Sequence, residues 1–559
     1  MTSAPLVHNL WTTAAPAQDK IPSPHIEYGQ LSPVLIVLGA AIVGILIEAL
    51  LPRRSRYAAQ LFVSVVALAS AFAAVIALAA GDYGTTKAGI AAMGAIAVDG
   101  PALFLQGTIL LVSIVAVLTF AERRLDPVPG AAGERPAGHG GDVDAFAAQA
   151  AAVPGGDAEK AAVKAGFTTT EVYPLLLFAV AGLLVFPAAN DLLTLFVALE
   201  VFSLPLYILC ALARRHRLLS QEAAVKYFLL GAFSSAFLLF GIALLYGYSG
   251  TIRYAGIADV VDGEVARMDP ALAQTMGNDA LLLIGGALLL VGLLFKIGAV
   301  PFHMWTPDVY QGAPTPVTGF MAAATKVAAF GALLRLLYVV LPGLRWDWRP
   351  VMWGVAIATM LGGAIVAVTQ TDVKRLLAYS SIAHAGFILA GVIATNENGV
   401  SSVLFYLAAY SFVTLGAFAV VTLVRDAGGE ATHLSKWAGL GRRSPLVAAV
   451  FAVFLLAFAG IPLTSGFAGK FAVFKAAAEG GAGALVVVGV LSSAVAAFFY
   501  IRVIVLMFFS EPKADGPSVA VPSALTSSAI AIGVAVTLVL GVAPQYFLEL
   551  AGDAGVFVR

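Results

Sequence analysis

Seven ionisable side chains sit where apolar sequence would carry them into a bilayer: Glu200, Lys226, Lys296, His303, Lys326, His384 and Lys470. Three of them fall in one run, LFKIGAVPFHMWTPDVYQGAPTPVTGFMAAATKVAAF, which holds Lys296, His303 and Lys326. Pro301 stands between Lys296 and His303, so a helix through this run loses its hydrogen-bond ladder there. A charge at the bilayer centre costs about 2.5–3.5 kcal/mol on insertion scales. Histidine changes charge near neutral pH. Lysines placed at that cost, beside a broken helix and a histidine, have the composition of a pathway for protons.

Each residue also has a plainer role. Glu200, about nine residues into its span, and Lys226, early in the next, are expected to pair, because together both stay charged where either alone would be costly. A purely structural ion pair is the alternative. Lys296 is deep and beside the break. His303, two turns on, would relay toward Lys326, or else be a satisfied core histidine. Lys326 and Lys470 rest on depth alone. His384, in KRLLAYSSIAHAGF, stands evenly between the two readings. Lys374 and Arg375 open that span as topology anchors. Asp308 and Arg335 are expected to snorkel at span ends, and Glu48 and Asp99 are unassigned. Thr464 and Ser465 would satisfy backbone groups freed at a second break or hold waters.

The elements that must position these groups are membrane helices. The 559 residues are 60% hydrophobic and only 11% charged, a balance for a polytopic membrane protein and not a soluble domain. Net charge is zero, which argues against nucleic acid as a partner. The single cysteine, Cys210, cannot form an intrachain disulfide. No thiolate or histidine cluster is spaced for zinc, iron–sulfur or haem, and no nucleotide motif occurs. The first thirty residues lack a basic region followed by an apolar core, so no cleaved signal peptide is expected.

Fourteen spans of helix-crossing length are expected at 33–51, 58–81, 99–121, 171–187, 191–213, 222–248, 279–307, 315–341, 351–370, 373–394, 401–424, 445–477, 483–509 and 521–545. They group as an N-terminal region of three helices (1–121), a first five-helix repeat (171–341), a second (351–509), and a last helix with the C-terminus (521–559). Residues 122–170, rich in Gly, Ala, Pro and acids, are expected to be an exposed, flexible cytoplasmic loop. Lys and Arg number 18 in the loops after odd spans and at most 8 on the other side. Odd loops are therefore cytoplasmic and both termini face outward.

Span seven is interrupted at GAVPFH and span twelve at AGIPLTSG, with Lys296 and Lys470 near the breaks. The breaks lie five spans apart. A repeat of five spans must invert in the membrane, and inverted repeats with broken helices mark the ion path of many transporters. Spans five and ten add Glu200 and His384, although span thirteen has no lysine to match Lys326.

The stretches LEVFSLPLYIL, EAAVKYFLLGAFSSAFLLFG, FKIGAVPFHMWTPDVYQGAPTPVTGF, KRLLAYSSIAHAGF and GIPLTSGFAGKF resemble the antiporter-like membrane subunits of respiratory complex I. The likeness runs from about residue 33 to 545. One branch of that family usually carries a lateral helix after extra C-terminal spans, and another typically has glutamate where Lys470 stands; this chain shows neither feature, which favours a third branch. Antiporter subunits of multisubunit cation/proton exchangers share the skeleton and are the alternative. The resemblance implies an all-α polytopic fold and proton translocation without redox chemistry in this chain. It places the family's glutamate–lysine pair on Glu200 and Lys226 and its central lysine on Lys296. Its connecting histidine and lysine fall on His303 and Lys326, and its distal lysine on Lys470. It further implies NADH, FMN, iron–sulfur clusters and quinone in other subunits, and none of them here. Expected partners are neighbouring antiporter-like subunits, small membrane subunits and the lipid of an energy-transducing membrane.

Overall fold

The structure is a computed structural model describing residues 26–81, 89–125, 144–149, 151–153, 156–165, 167–263, 278–426, 429–512 and 516–558. Lys20, Lys87, Arg135, Arg267, Lys513 and Arg559, which enter the charge asymmetry, lie outside the described residues, as does the Lys164 side chain. Among the described residues twelve helices are long and apolar enough to cross a membrane, and the shorter Val172–Ala188 and Pro445–Ala459 are the fourth and twelfth spans. Helix ends differ from expectation by several residues. The sixth span starts at Arg217 and runs to Ser249, because its polar first turn is helical without being apolar. Gln545–Asp553 is a separate helix after Pro544, and small antiparallel strands lie outside the helices, 89–91 with 96–98 and 424–426 between 429–430 and 518–519.

The spans at the centre are apolar all round, as fully enclosed helices must be. Thr315–Val340, Val373–Ile393 and Glu397–Leu423 are buried over almost their whole length. The first, second, sixth, thirteenth and fourteenth spans lie outside them and expose rows of apolar side chains, such as Phe228, Phe233 and Phe240 of the sixth. Close crossing of the sixth span on the seventh depends on Gly241, where an added Cβ would lie 2.7 Å from the Gly285 carbonyl.

Both broken spans use one backbone device. The first half of the seventh ends at Ile297, and the first half of the twelfth at Ala459. Gly298 at φ 77° and Gly460 at φ 81° follow, in the left-handed region that glycine enters without strain. Gly298 donates to the Leu294 and Phe295 carbonyls and Ala299 to Leu294; Gly460 donates to Leu456 and Ala457 and Ile461 to Leu456. These are Schellman closures, each followed by proline as a helix stop requires. The second halves run Trp305–Gly312 and Ser465–Glu479. Identical breaks five spans apart fit the inverted pair of five-helix repeats. The eighth span is widened by π turns at Met321–Thr325 and Leu336–Val340, the first of which delivers Lys326.

Residues 144–148 of 122–170 are packed, which corrects the expectation of an exposed loop for that stretch, while the short helix Asp157–Lys164 lies largely exposed. Phe146 is 1% exposed and its ring lies 5.2 Å from that of Phe120. Ala147 donates to the Leu212 carbonyl at 2.8 Å, and Asp144 meets Arg214 at 2.8 Å. Burial pushes the Asp144 carboxyl up, with Arg214 acting the other way. Composition hid this because alanine-rich sequence serves for a docked segment as well as for a loose one. Phe146→Ala should therefore lower stability by about 3–5 kcal/mol, read as a drop in the melting temperature of the detergent-purified assembly. An unchanged melting temperature would return this segment to the loop class.

Candidate functional site

Lys296 occupies the last turn of the first half of span seven and is 3% exposed. Its Nζ donates to Ser203 Oγ at 2.8 Å and Tyr207 OH at 3.5 Å, both on the fifth span. Around it the rings of Phe202, Tyr207 and Tyr227 lie 5.3–5.4 Å away, within cation–π range. Tyr227 stacks on Trp305 at 4.7 Å, and Trp305 Nε1 donates to the Phe295 carbonyl at 2.9 Å, so the aromatic cage is pinned to the helix break. Gly231 makes room for it, since a Cβ there would sit 2.1 Å from Tyr207 OH. Glu200 precedes Ser203 by one turn on the same helix face. Its Oε1 is buried without a hydrogen-bond partner.

Lys326 Nζ donates to the Ser381 carbonyl of the tenth span and lies 5.5 Å from the Tyr410 ring. One turn beyond Ser381, His384 Nδ1 bonds Tyr406 OH at 2.7 Å and its Nε2 lies 3.3 Å from Tyr500 OH. Tyr500 OH also bonds Ser380 Oγ. Phe458 packs between, 5.5 Å from His384 and 5.8 Å from Tyr500. The Phe458 and Ala459 carbonyls, freed at the second break, accept from Lys470 Nζ at 2.9 and 3.1 Å, and Ser493 Oγ accepts at 2.8 Å. Lys326 and Lys470 therefore both reach rings packed on His384, Lys326 at Tyr410 and Lys470 at Phe387. Ser203, Tyr207, Tyr406, Tyr500 and Ser493 were missed from sequence; the spacing of Glu200, Ser203 and Tyr207 on one face was the available signal.

Lys296, Lys326 and Lys470 share one property. Among the described residues none has a carboxylate within 4 Å, whereas Arg335, Arg214, Lys374, Arg375 and Lys226 each do.

Several expectations are corrected. Lys226 does not pair with Glu200: it meets Glu222 at 2.7 Å and Asp308 at 2.9 Å. Glu222 lies one turn back on its own helix, and the second half of span seven presents Asp308, so nearer carboxylates take the charge. Arg375 holds the other Asp308 oxygen at 2.6 Å, so Lys226, Asp308 and Arg375 tie three spans together in a partly exposed cluster. Lys374 is buried against the Ala313 carbonyl at 2.8 Å and Glu430 at 3.4 Å. Arg335 does not snorkel; it is 1% exposed and grips Asp99 through two bonds of 2.6 and 2.8 Å. Asp99 also accepts from the Val558 amide at 3.0 Å, which ties the C-terminal tail to the third span. Glu48 pairs with Arg56 at 3.3 Å. His303 is half-buried in the turn, its Nδ1 without a partner, and it touches neither lysine by hydrogen bond. Thr464 Oγ1 satisfies the Ile461 carbonyl at 2.7 Å as expected. The two break lysines are not equivalent, since Lys296 precedes its capping glycine and Lys470 follows its own by ten residues.

Two broken spans, each with a buried lysine near its break, in a bundle of membrane-length helices are features of an antiporter-like membrane protein. Residues 189–496 match the family described as NADH:quinone oxidoreductase/Mrp antiporter, TM. A protein from Streptomyces griseus subsp. griseus named NADH-quinone oxidoreductase subunit N 3 is 80% identical, the match covering 100% of each chain. A chain of respiratory complex I from Thermus thermophilus is 31% identical at TM-score 0.70, covering 93% of this chain and 99% of its own. A chain of the Mrp complex from Dietzia sp. shares the fold at TM-score 0.72 and 24% identity, over 94% and 97%. The chain belongs to the subunit N family of NADH-quinone oxidoreductase, the antiporter-like membrane subunits of respiratory complex I.

The reassigned partner of Lys226 is testable by double-mutant cycles on the purified assembly, with melting converted to free energy. Lys226 with Asp308 should show coupling of about 0.2–1 kcal/mol, the range for a partly exposed pair. Lys226 with Glu200 should show none; coupling there equal to that with Asp308 would restore the original pairing.

Proposed function

We propose that this chain, as the N-type subunit of an NADH-quinone oxidoreductase, moves protons across an energy-transducing membrane through Lys296, Lys326, His384 and Lys470. The observation that carries the reading is that all three lysines are buried and held by hydroxyls, carbonyls and aromatic faces, with no carboxylate within 4 Å among the described residues. An ammonium tied by neutral acceptors alone keeps its hydrogen bonds when the surrounding charge changes, and its proton is free to leave when that charge turns unfavourable.

Glu200, one turn from the Ser203 and Tyr207 hydroxyls, is the group whose approach to Lys296 sets that balance. The Lys226–Asp308–Arg375 cluster joins spans six, seven and ten and is the element through which a neighbouring subunit's motion reaches the break. From Lys296 the proton passes by water, with His303 beside the turn, to Lys326 at Ser381. His384, held by Tyr406 and Tyr500, hands it to Lys470 across the second break. Waters are required because the lysines do not touch one another. The redox work belongs to other subunits, which carry NADH, FMN, iron–sulfur clusters and quinone; no cofactor is assigned to this chain. Its partners are the other membrane subunits of the complex, set against the exposed apolar faces, and lipid. The charge asymmetry supports both termini on the outer side, and the repeats support a functional division at 171–341 and 351–509.

Arginine is effectively never deprotonated, so Lys296→Arg keeps a charge and removes the titration. The variant should assemble normally yet acidify the outer compartment per NADH oxidised as poorly as Lys296→Ala, with abundance checked on a native gel. Full pumping by Lys296→Arg would make Lys296 structural. Tags on the two termini should both report from the outer side; a cytoplasmic signal from either would break the assigned topology.

A further inference from the structure

Span eleven, Glu397–Leu423, carries Tyr406, Tyr410 and Thr414 at intervals of four residues. That spacing stacks their hydroxyls on one face of the helix, one turn apart. All three residues are buried. An enclosed helix needs no hydroxyls for packing, since apolar side chains fill the same space without polar groups to satisfy. Tyr406 already has a partner, its OH bonding His384 Nδ1 at 2.7 Å. Tyr410 and Thr414 have none of the uses described so far beyond the ring contact of Tyr410 with Lys326.

Tyr410 reaches both ionisable groups of this region. Its ring lies 5.5 Å from Lys326 Nζ and 5.0 Å from the His384 ring. Its hydroxyl lies beside those of Thr414 and Ser381, and Ser381 is the residue whose carbonyl holds Lys326. Ser381 Oγ and Thr414 Oγ1 are buried without a hydrogen-bond partner, a state that buried hydroxyls seldom keep because the missing bond is costly. Open hydroxyl oxygens therefore adjoin Tyr410 next to the point where Lys326 is held. Tyr406, one turn away, carries the line on to His384. A void of about 10 Å³ borders His384, Tyr406 and Tyr410, slack in which the two tyrosine rings can turn their hydroxyls toward each other. A hydroxyl both donates and accepts, so it can take one proton while giving up another.

We propose that Tyr410 is a further proton-transfer residue, joining Lys326 to His384 through the hydroxyls of span eleven. This rests on the reading of Lys326 and His384 as proton carriers. One proton leaves the Lys326 ammonium for the Tyr410 oxygen as the Tyr410 proton passes to Tyr406 and that of Tyr406 to His384 Nδ1. Lys326 ends neutral, His384 ends charged, and each tyrosine keeps one proton. Ser381 and Thr414 are positioning residues, their open oxygens aiming the Tyr410 hydroxyl.

The test uses the intact complex in sealed vesicles, as wild type, Tyr410→Phe, Thr414→Val, Tyr338→Phe and Lys326→Arg. Protons moved per NADH oxidised are measured for each, with assembly checked on a native gel. Tyr410→Phe keeps the ring beside Lys326 and His384 and removes only the oxygen. It should assemble as wild type and pump as poorly as Lys326→Arg. Thr414→Val, a change of nearly equal volume, should also lower the ratio. Tyr338→Phe, which removes a hydroxyl bonded to the Val392 carbonyl at the far end of span eight, should pump as wild type. Full pumping by Tyr410→Phe beside a deficient Lys326→Arg would overturn Tyr410 as a carrier and leave the lysine route standing. Where Tyr410→Phe does not assemble, a wild-type ratio in Thr414→Val would overturn the ladder. Full pumping by Lys326→Arg would overturn the route and the ladder together. A loss in Tyr338→Phe equal to that in Tyr410→Phe would make the deficit that of any lost hydroxyl, and would overturn the assignment too.

Discussion

The structure turns on burying three lysine side chains with, among the described residues, no carboxylate within 4 Å of any of them. Taking such a charge out of water costs several kcal/mol, and a carboxylate alongside would be the usual remedy. The chain supplies neutral acceptors instead. Lys470 takes two carbonyls that exist only because the twelfth span ends at Gly460, where a helix C-terminus also presents its negative end. Lys296 takes hydroxyls and aromatic faces gathered beside the matching end at Gly298. Lys326 takes the Ser381 carbonyl beside a π turn. The breaks, the glycines that cap them and the aromatic cages follow from that single requirement.

Elsewhere the same bundle shows how it locks a charge when locking is wanted. Asp99 and Arg335 are almost wholly buried and joined by two short bonds, and the third span, the eighth span and the C-terminal tail all meet there. Removing one partner of such a pair leaves an uncompensated buried charge, typically worth 3–5 kcal/mol. Fixed pairs hold the scaffold, and unpaired lysines line its axis. The inverted repeats share the break but not the lysine: the first places it before the capping glycine and the second after it, so repetition of the backbone does not extend to repetition of the chemistry.

Most of the architecture was legible because apolar length is a local property of sequence. Fourteen spans and both breaks follow from hydropathy, Gly and Pro. Depth picked out Lys296, Lys326 and Lys470 as well. Partner choice was not legible. Nothing in sequence says that Asp308 lies closer to Lys226 than Glu200 does, since this depends on how the second half of span seven tilts after its break. Nor could Arg335 be read as buried, because a long side chain near a helix end can reach water or turn inward to Asp99 with equal ease. The tyrosines around His384 were invisible for a similar reason: they arrive from spans eleven and thirteen, far along the chain.

Side-chain contacts leave gaps between Lys296 and Lys326, and between His384 and Lys470, that only water can close. The most direct test is a structure of the intact complex at a resolution that places waters, determined under turnover conditions. The account predicts an unbroken hydrogen-bonded file joining Lys296, Lys326, His384 and Lys470, with Tyr406, Tyr500 and Ser493 in its wall. Dry apolar packing between Lys326 and Lys470 throughout turnover would contradict it, and the buried lysines would then serve the fold alone.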